Sequence, residues 1–261
     1  MKTGETFIIQ LYEKLPLFFK KCFMKILHNN LYDSQFALIP KIRSFPFVGQ
    51  NFGIDNKRIL VFAHNIYCKP GQYKIEREKS INKLHYANAI TDYLFSNENW
   101  TYTFRNFIKA SIKLKTNYST KSSIETLHQI ENFINKIAYT NYINDILESE
   151  KANNIKISPA LIVESSSINI EILKTLKTTH VVCWGKQVFD YILSCTDIEI
   201  LNKSANFNSL AKLKNKNGFA FAKIKLFDQE IYLLRIFHPS MPGFSPYNND
   251  TQNILDWFYT L

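Results

Sequence analysis

A three-layer α/β/α fold with a mostly parallel central sheet is what this sequence predicts, and two observations predict it. Ile59-Leu-Val-Phe62, Ile137-Ala-Tyr-Thr-Asn-Tyr-Ile143 and Thr179-His-Val-Val-Cys-Trp184 are too continuously apolar for strands with one wet face. Longer amphipathic segments lie between them, and strand alternating with helix is the pattern of a parallel sheet covered on both faces. With 261 residues and 46% hydrophobic composition the chain can bury one substantial core. Only 7 Gly and 8 Pro are present, and no flexible linker or internal repeat appears. The α/β domain is placed at 46–261, after an N-terminal helical extension at 1–45.

Residues 1 to about 30 carry Phe7, Leu11, Leu15, Phe18, Cys22 and Ile26 on one helical face, which reads as a helix pair packed around Pro16. Lys20, Lys21 and Lys25 lie opposite, so a helix resting on a membrane surface is the other reading. The apolar run that includes Leu15 and Phe19 breaks at Lys20 before it reaches the ~20 residues of a membrane span, and no signal-peptide pattern follows.

Turn signals between Phe45 and Gly53, then polar Asp55 to Arg58, lead into the first strand, which ends at a polar loop, Ala63-His-Asn-Ile-Tyr-Cys68 and Lys69-Pro-Gly71. Ile81, Leu84, Ala87, Ile90 and Leu94, then Phe104, Phe107, Ile108 and Ile112, mark two helices separated by Asn97-Glu-Asn99. Ser122 and Ser123 with Glu125 open another helix, which runs to Ile134. In the second strand Thr140 and Asn141 interrupt the apolar run and need partners or a ligand. A polar loop spans 148–158. Ser158-Pro159 opens a helix to about Leu176, and Gly185-Lys-Gln leads from the third strand into a helix ending at Leu193. Ala220 to Phe227 and Ile231 to Phe237 form a hairpin or paired strands, and Asp250 to Leu261 is a terminal helix.

The 32 Lys+Arg against 22 Asp+Glu give a formal charge of +10, which favours a polyanionic partner, nucleic acid first, over an acidic protein or neutral metabolite. A lysine-rich solvated surface is the plainer account of the same charge. Cys22, Cys68, Cys183 and Cys195 show no C-x-x-C pair and no zinc spacing. Reduced thiols, no metal, no cofactor and a cytoplasmic monomer are therefore expected.

Chemistry concentrates in the stretch from Arg235 to Ser245, where an apolar run stops at His238 and turn-forming residues follow. Pro239 fixes a backbone dihedral, Pro242-Gly243 favours a tight turn, and Ser240 and Ser245 add hydroxyls beside backbone amides. Such a rigid loop grips an anion or protonates a leaving group; otherwise it is a surface turn with a solvated histidine. Three loops occur in series: Ala63 to Cys68, Ala138-Tyr-Thr-Asn-Tyr142, and His238-Pro-Ser240. Their types and order resemble the uracil-DNA glycosylase superfamily, with its water-activating loop (Gly-Gln-Asp-Pro-Tyr-His or Gly-Ile-Asn-Pro-Gly), its base-reading Asn and its late His-Pro-Ser loop. The likeness covers residues 45 to 245, and Thr179 to Gly185 resembles the family's strand leading into a helix. In the first loop Ala63 replaces a glycine and Ile66 a proline. Asn65 stands where some branches carry Asp; an amide cannot take a proton and acts on water only by hydrogen bonding.

The resemblance implies a DNA glycosylase acting on an extruded pyrimidine: uracil, another deaminated base, or a bulky modified cytosine of phage DNA in antiviral defence. Asn65 would hold the water, and His238 with Asn141 would supply donors to the departing base. Tyr67 would line the pocket, Tyr73 would stack, and His64 is a further ligand or acid. Ser240, Gly243, Ser245 and the backbone amides of the turn would grip phosphate, with Met241 or Phe244 as the apolar wedge. The iron-sulphur cluster of some relatives is not expected, for want of an N-terminal cysteine pairing. The alternative is a non-catalytic DNA-binding protein on the same scaffold; a phosphoester hydrolase ranks last, since neither a Walker loop nor a metal-spaced carboxylate pair is present.

Overall fold

The structure, a computed structural model, describes residues 26–68, 71–72, 83–94, 99–115, 122–148, 156–204 and 218–261. After a single 3-10 turn (Asn30–Tyr32) come α1 (Asp33–Phe36), β1 (Phe47–Val48), β2 (Ile59–Ala63), β3 (Ile66–Cys68), α2 (His85–Tyr93), α3 (Asn99–Ser111) and α4 (Ile124–Asn135). They are followed by β4 (Ile137–Asn141), β5 (Ile146–Glu148), α5 (Pro159–Leu176), β6 (His180–Trp184), α6 (Lys186–Leu193), β7 (Ile198–Ser204), β8 (Ala220–Leu226), β9 (Gln229–Ile236) and α7 (Asn249–Thr260).

Seven strands form one sheet in the order β1-β4-β2-β6-β9-β8-β7. Neighbours among β4, β2, β6 and β9 are parallel, as the continuous apolar runs lead one to expect; β1 and the β8–β7 hairpin close the edges in antiparallel fashion. Side chains alternate between two cores with the period of two that a strand imposes. Leu60, Phe62, Val181, Cys183 and Leu233 face α5, α6 and the segment carrying Phe36, Ile39, Ile42 and Phe45. Ile59, Val61, Ala63, Val182, Trp184, Leu234 and Ile236 face α2, α3, α4 and α7. The helices thus form a layer on each side.

Caps fix where the helices begin. Ser158 accepts the Leu161 amide at 3.2 Å with Pro159 in the first helical turn, and Ser123 accepts the Thr126 amide at 3.3 Å. At the β6–α6 junction Gly185 has φ +97°, a conformation side chains rarely adopt, and space for a Cβ is open, so backbone freedom is the requirement there.

Two differences from the sequence expectations have physical reasons. Residues 66–68, expected in a loop, pair with 146–148, for which the sequence predicts no strand, in a two-stranded parallel ribbon, β3 with β5. The exits of β2 and β4 already run side by side, with the Tyr142 amide on the Ala63 carbonyl at 2.8 Å and the Ile143 amide on the His64 carbonyl at 2.9 Å, so the ladder simply continues. Strand β7 was not expected at all; it is an edge strand whose Ile200 and Leu201 are exposed. Of the expected N-terminal helix face only Ile26 is among the described residues; Phe7, Leu11, Leu15, Phe18 and Cys22 lie outside them. No helix among the described residues is long and apolar enough to cross a membrane.

The exit of β4 is held from the helix layer by Asn169, whose Nδ2 donates to the buried Tyr142 carbonyl at 2.6 Å. Asn169→Ala leaves that carbonyl without its partner and should cost roughly 1–3 kcal/mol in urea unfolding, against near zero for exposed Val163→Ala.

Candidate functional site

The order of the parallel strands sets the site. From β2 the chain crosses to β4 on one side, then returns past β2 to β6 on the other, so crossovers diverge between β2 and β6. In open α/β sheets ligands bind in the crevice this leaves beyond the carboxyl ends of the strands. His64 and Asn65 follow β2 there, Gly185 follows β6, and His238 follows β9.

His238 is fixed by its own loop. The Met241 amide donates to the His238 carbonyl at 2.8 Å and the Phe244 amide to the Met241 carbonyl at 2.9 Å, giving two successive turns. Buried Asn106 on α3 clamps the loop through a 3.1 Å bond from Nδ2 to the Pro239 carbonyl. A side chain at Gly243 would press on the Phe237 ring at 3.2 Å. Within this loop the Nδ1 of His238 lies 2.8 Å from Ser240 Oγ and accepts the Ser240 amide at 3.4 Å. An acceptor Nδ1 places the single proton of a neutral ring on Nε2.

Burial holds His238 at about 4, with the nearby His64 adding to the depression, so the ring is neutral near pH 7. Burial lowers His64 as well, with Asn65 opposing it by a hydrogen bond. The two imidazoles therefore interact across the strand edge, and no carboxylate contributes to either shift. His64 stacks on Tyr191 of α6 at 6.1 Å, while His238 packs edge-on against Trp184 at 5.8 Å.

Three buried nitrogens in these elements have no protein partner: His64 Nε2, Asn65 Nδ2 and Trp184 Nε1. Buried polar atoms are nearly always paired, so three orphans at one strand edge are a reason to look for a ligand. Trp184 packs among Phe104, Phe107 and Tyr139, yet its indole N–H remains unused.

Asn141 pairs with Ala63 in the ladder and is 5% exposed. Its Nδ2 donates to Tyr86 Oη of α2 at 3.2 Å, and burial pushes that phenol up, so Tyr86 keeps its proton. Thr140 contacts the Asn141 carbonyl at 3.5 Å. Tyr86, Tyr139 and Trp184 form a continuous aromatic wall from Asn141 to His238. Nothing local in the sequence signals Tyr86 or Tyr191, because both arrive from helices.

The remaining expected residues are distributed as follows. Ser240, Met241 and Gly243 are exposed and Ser245 is half-buried. Phe244 is 5% exposed and belongs to the core, whereas Met241 is 53% exposed, so Met241 is the residue of the two that the surface presents. The Ser240 and Met241 amides, expected to grip phosphate, are taken up by the turns themselves. Tyr67 is placed by β3, opposite Leu147, with its side chain outside what is described; Tyr73 lies outside the described residues. Among the described residues no cluster of His, Cys, Asp or Glu could hold a metal. Cys183 is fully buried and burial raises its thiol, as suits a small hydrophobe.

No protein-family model matches the chain, and no curated protein does.

Two histidines give the site and its sheet a pH signature. His180 at the opposite end of β6 is also held at about 4, by burial and then by the charge of Lys57, against 6.5 for an ordinary imidazole. A depressed folded value means that the unfolded chain binds protons first. Stability is therefore complete above 6.5 and is lost as pH falls toward about 4. Thermal melts across that window should show a falling midpoint, and His180→Phe should flatten part of the fall.

Proposed function

We propose that the chain is a monofunctional DNA glycosylase that hydrolyses the N-glycosidic bond of an extruded pyrimidine, of uracil type or a bulky modified cytosine, and leaves an abasic site. The observation that carries this reading is His238: a neutral imidazole just after β9, its Nδ1 committed to Ser240, which leaves the ring proton on Nε2 as a donor. As the glycosidic bond stretches, negative charge gathers on the base and positive character on the sugar. A neutral donor that needs no proton transfer stabilises such an anion, and the lack of a carboxylate contribution at either imidazole suits it.

Asn65 orients the water by hydrogen bonding, since its amide cannot act as a base. His64 adds a second neutral ring and Asn141 contributes from the β4 exit, with Tyr67 on the adjoining strand β3. Ser240, Gly243 and Ser245 hold the DNA backbone, and Met241 fills the gap left by the base. The +10 charge suits the partner, because phosphate contacts offset the cost of extrusion. Repair and antiviral defence are both roles such an activity would serve.

The test is direct. The protein is incubated with duplexes that each hold one candidate base, and abasic sites are then cleaved with alkali. Release from at least one duplex is expected, and His238→Ala should slow it by about 10²–10³-fold, the range for losing one preorganised donor. No release from any duplex removes the enzymatic reading for those bases. Asn65 in place of an acid favours the second reading, a DNA-binding protein without chemistry, which predicts binding that survives both Asn65→Ala and His238→Ala.

A further inference from the structure

Beside the His238 loop, one face of α3 carries Tyr102, Arg105, Asn106 and Lys109 at the i, i+3, i+4, i+7 spacing that aligns side chains in a stripe. Asn106 ties this face to Pro239, as described above, so the stripe and the loop are one surface. The Lys109 ammonium lies between two rings, 5.8 Å from the centre of Tyr102 and 5.2 Å from that of Tyr247, and 3.5 Å from the Tyr247 hydroxyl. Both tyrosines keep broad exposure, 55% and 43%. Burial raises the Tyr247 phenol, and Tyr102 adds to it.

Arg105 and Lys109 are like charges one turn apart, an arrangement that destabilises a free helix. Burial lowers Lys109 first, and the Arg105 charge lowers it further. Arg105 joins none of the ion pairs found among the described residues, and its Nε is buried without a partner. Arg105 is half-buried and Lys109 only 4% exposed, so the pair sets positive charge against two exposed aromatic rings, the composition that single-stranded nucleic acid selects: phosphate for the charge, unstacked bases for the rings. Duplex bases are already stacked and offer the rings nothing.

We infer that Tyr102, Arg105, Lys109 and Tyr247 form a subsite for an unpaired stretch of nucleic-acid strand, next to the nucleotide held at His238. This rests on the glycosylase reading for the identity of that neighbouring nucleotide, and on the surface itself for the binding of strand. Phosphate lies on Arg105, with the buried Lys109 ammonium adding charge behind it, and a flanking base stacks on a tyrosine.

The experiment is fluorescence anisotropy with a labelled mixed-sequence single strand of DNA, the unlabelled duplex as competitor, and a salt series. Single strand should bind tighter than duplex. Arg105→Gln should reduce the slope of log affinity against log salt by about 0.7, one single-strand phosphate. Tyr102→Ala should weaken binding roughly 5- to 100-fold at unchanged slope. Both side chains lie at the surface, and matching thermal midpoints would show that the variants fold. Val163→Ala, an exposed position on α5, should bind strand like the wild type. The inference is overturned if both surface variants bind as the wild type does, if duplex competes better than single strand, or if the protein binds anionic vesicles and not DNA. Base release by a protein whose surface variants bind normally would sink this inference alone; normal strand effects without any base release would sink only the glycosylase reading.

Discussion

The parallel pairing of β2 with β4 on one side and β6 on the other is the constraint from which the rest follows. Parallel neighbours end on the same edge, so the loops after β2, β4, β6 and β9 are forced together although they are far apart in the chain. β2 lies where the crossovers diverge, the place where open α/β sheets form a crevice. The loop after β2 carries His64 and Asn65, and those after β4, β6 and β9 bring Tyr142, Gly185 and His238 to the same rim.

Burial converts that convergence into electrostatics. Imidazole at a wet surface would be partly charged near neutral pH, whereas burial pushes both His64 and His238 down and His64 adds to the depression of His238. The rim is thus furnished with uncharged donors whose directions are set in advance. Ser240 sets the tautomer of His238, Trp184 sets its tilt, and Asn106 sets the height of the loop. Fixed dipoles of this kind stabilise developing charge without reorganising, which is where their advantage over water lies.

What the chain discloses before folding depends on how each element is buried. β2 and β6 are legible as unbroken apolar runs because both their faces are covered, and α5 is legible from Ser158 and Pro159 at its start. β7 is hard to read, since Ile198–Ser204 mixes Glu, Asn and Lys with apolar residues in the manner of a solvated edge. β1, β3 and β5 are two or three residues long and carry no period at all. For the site, His238 and Asn65 are visible as polar interruptions at strand ends, and Asn141 as an amide within an apolar run. The bond from Asn141 to Tyr86, the stacking of His64 on Tyr191 and the unused Trp184 N–H depend on which helix docks on which face, and no local pattern encodes that. Phe244 shows the opposite case: its place in a polar loop suggests a surface residue, and the fold turns it inward.

The ribbon of β3 and β5 has a mechanical consequence. Because backbone bonds stitch the segment after β2 to the segment after β4, those two walls of the rim behave as one stiff flap and cannot part from each other. The wall carrying His238 is attached differently, by two self-contained turns and the amide of Asn106. Any breathing of the rim is thereby assigned to the β9 side, the side that carries His238.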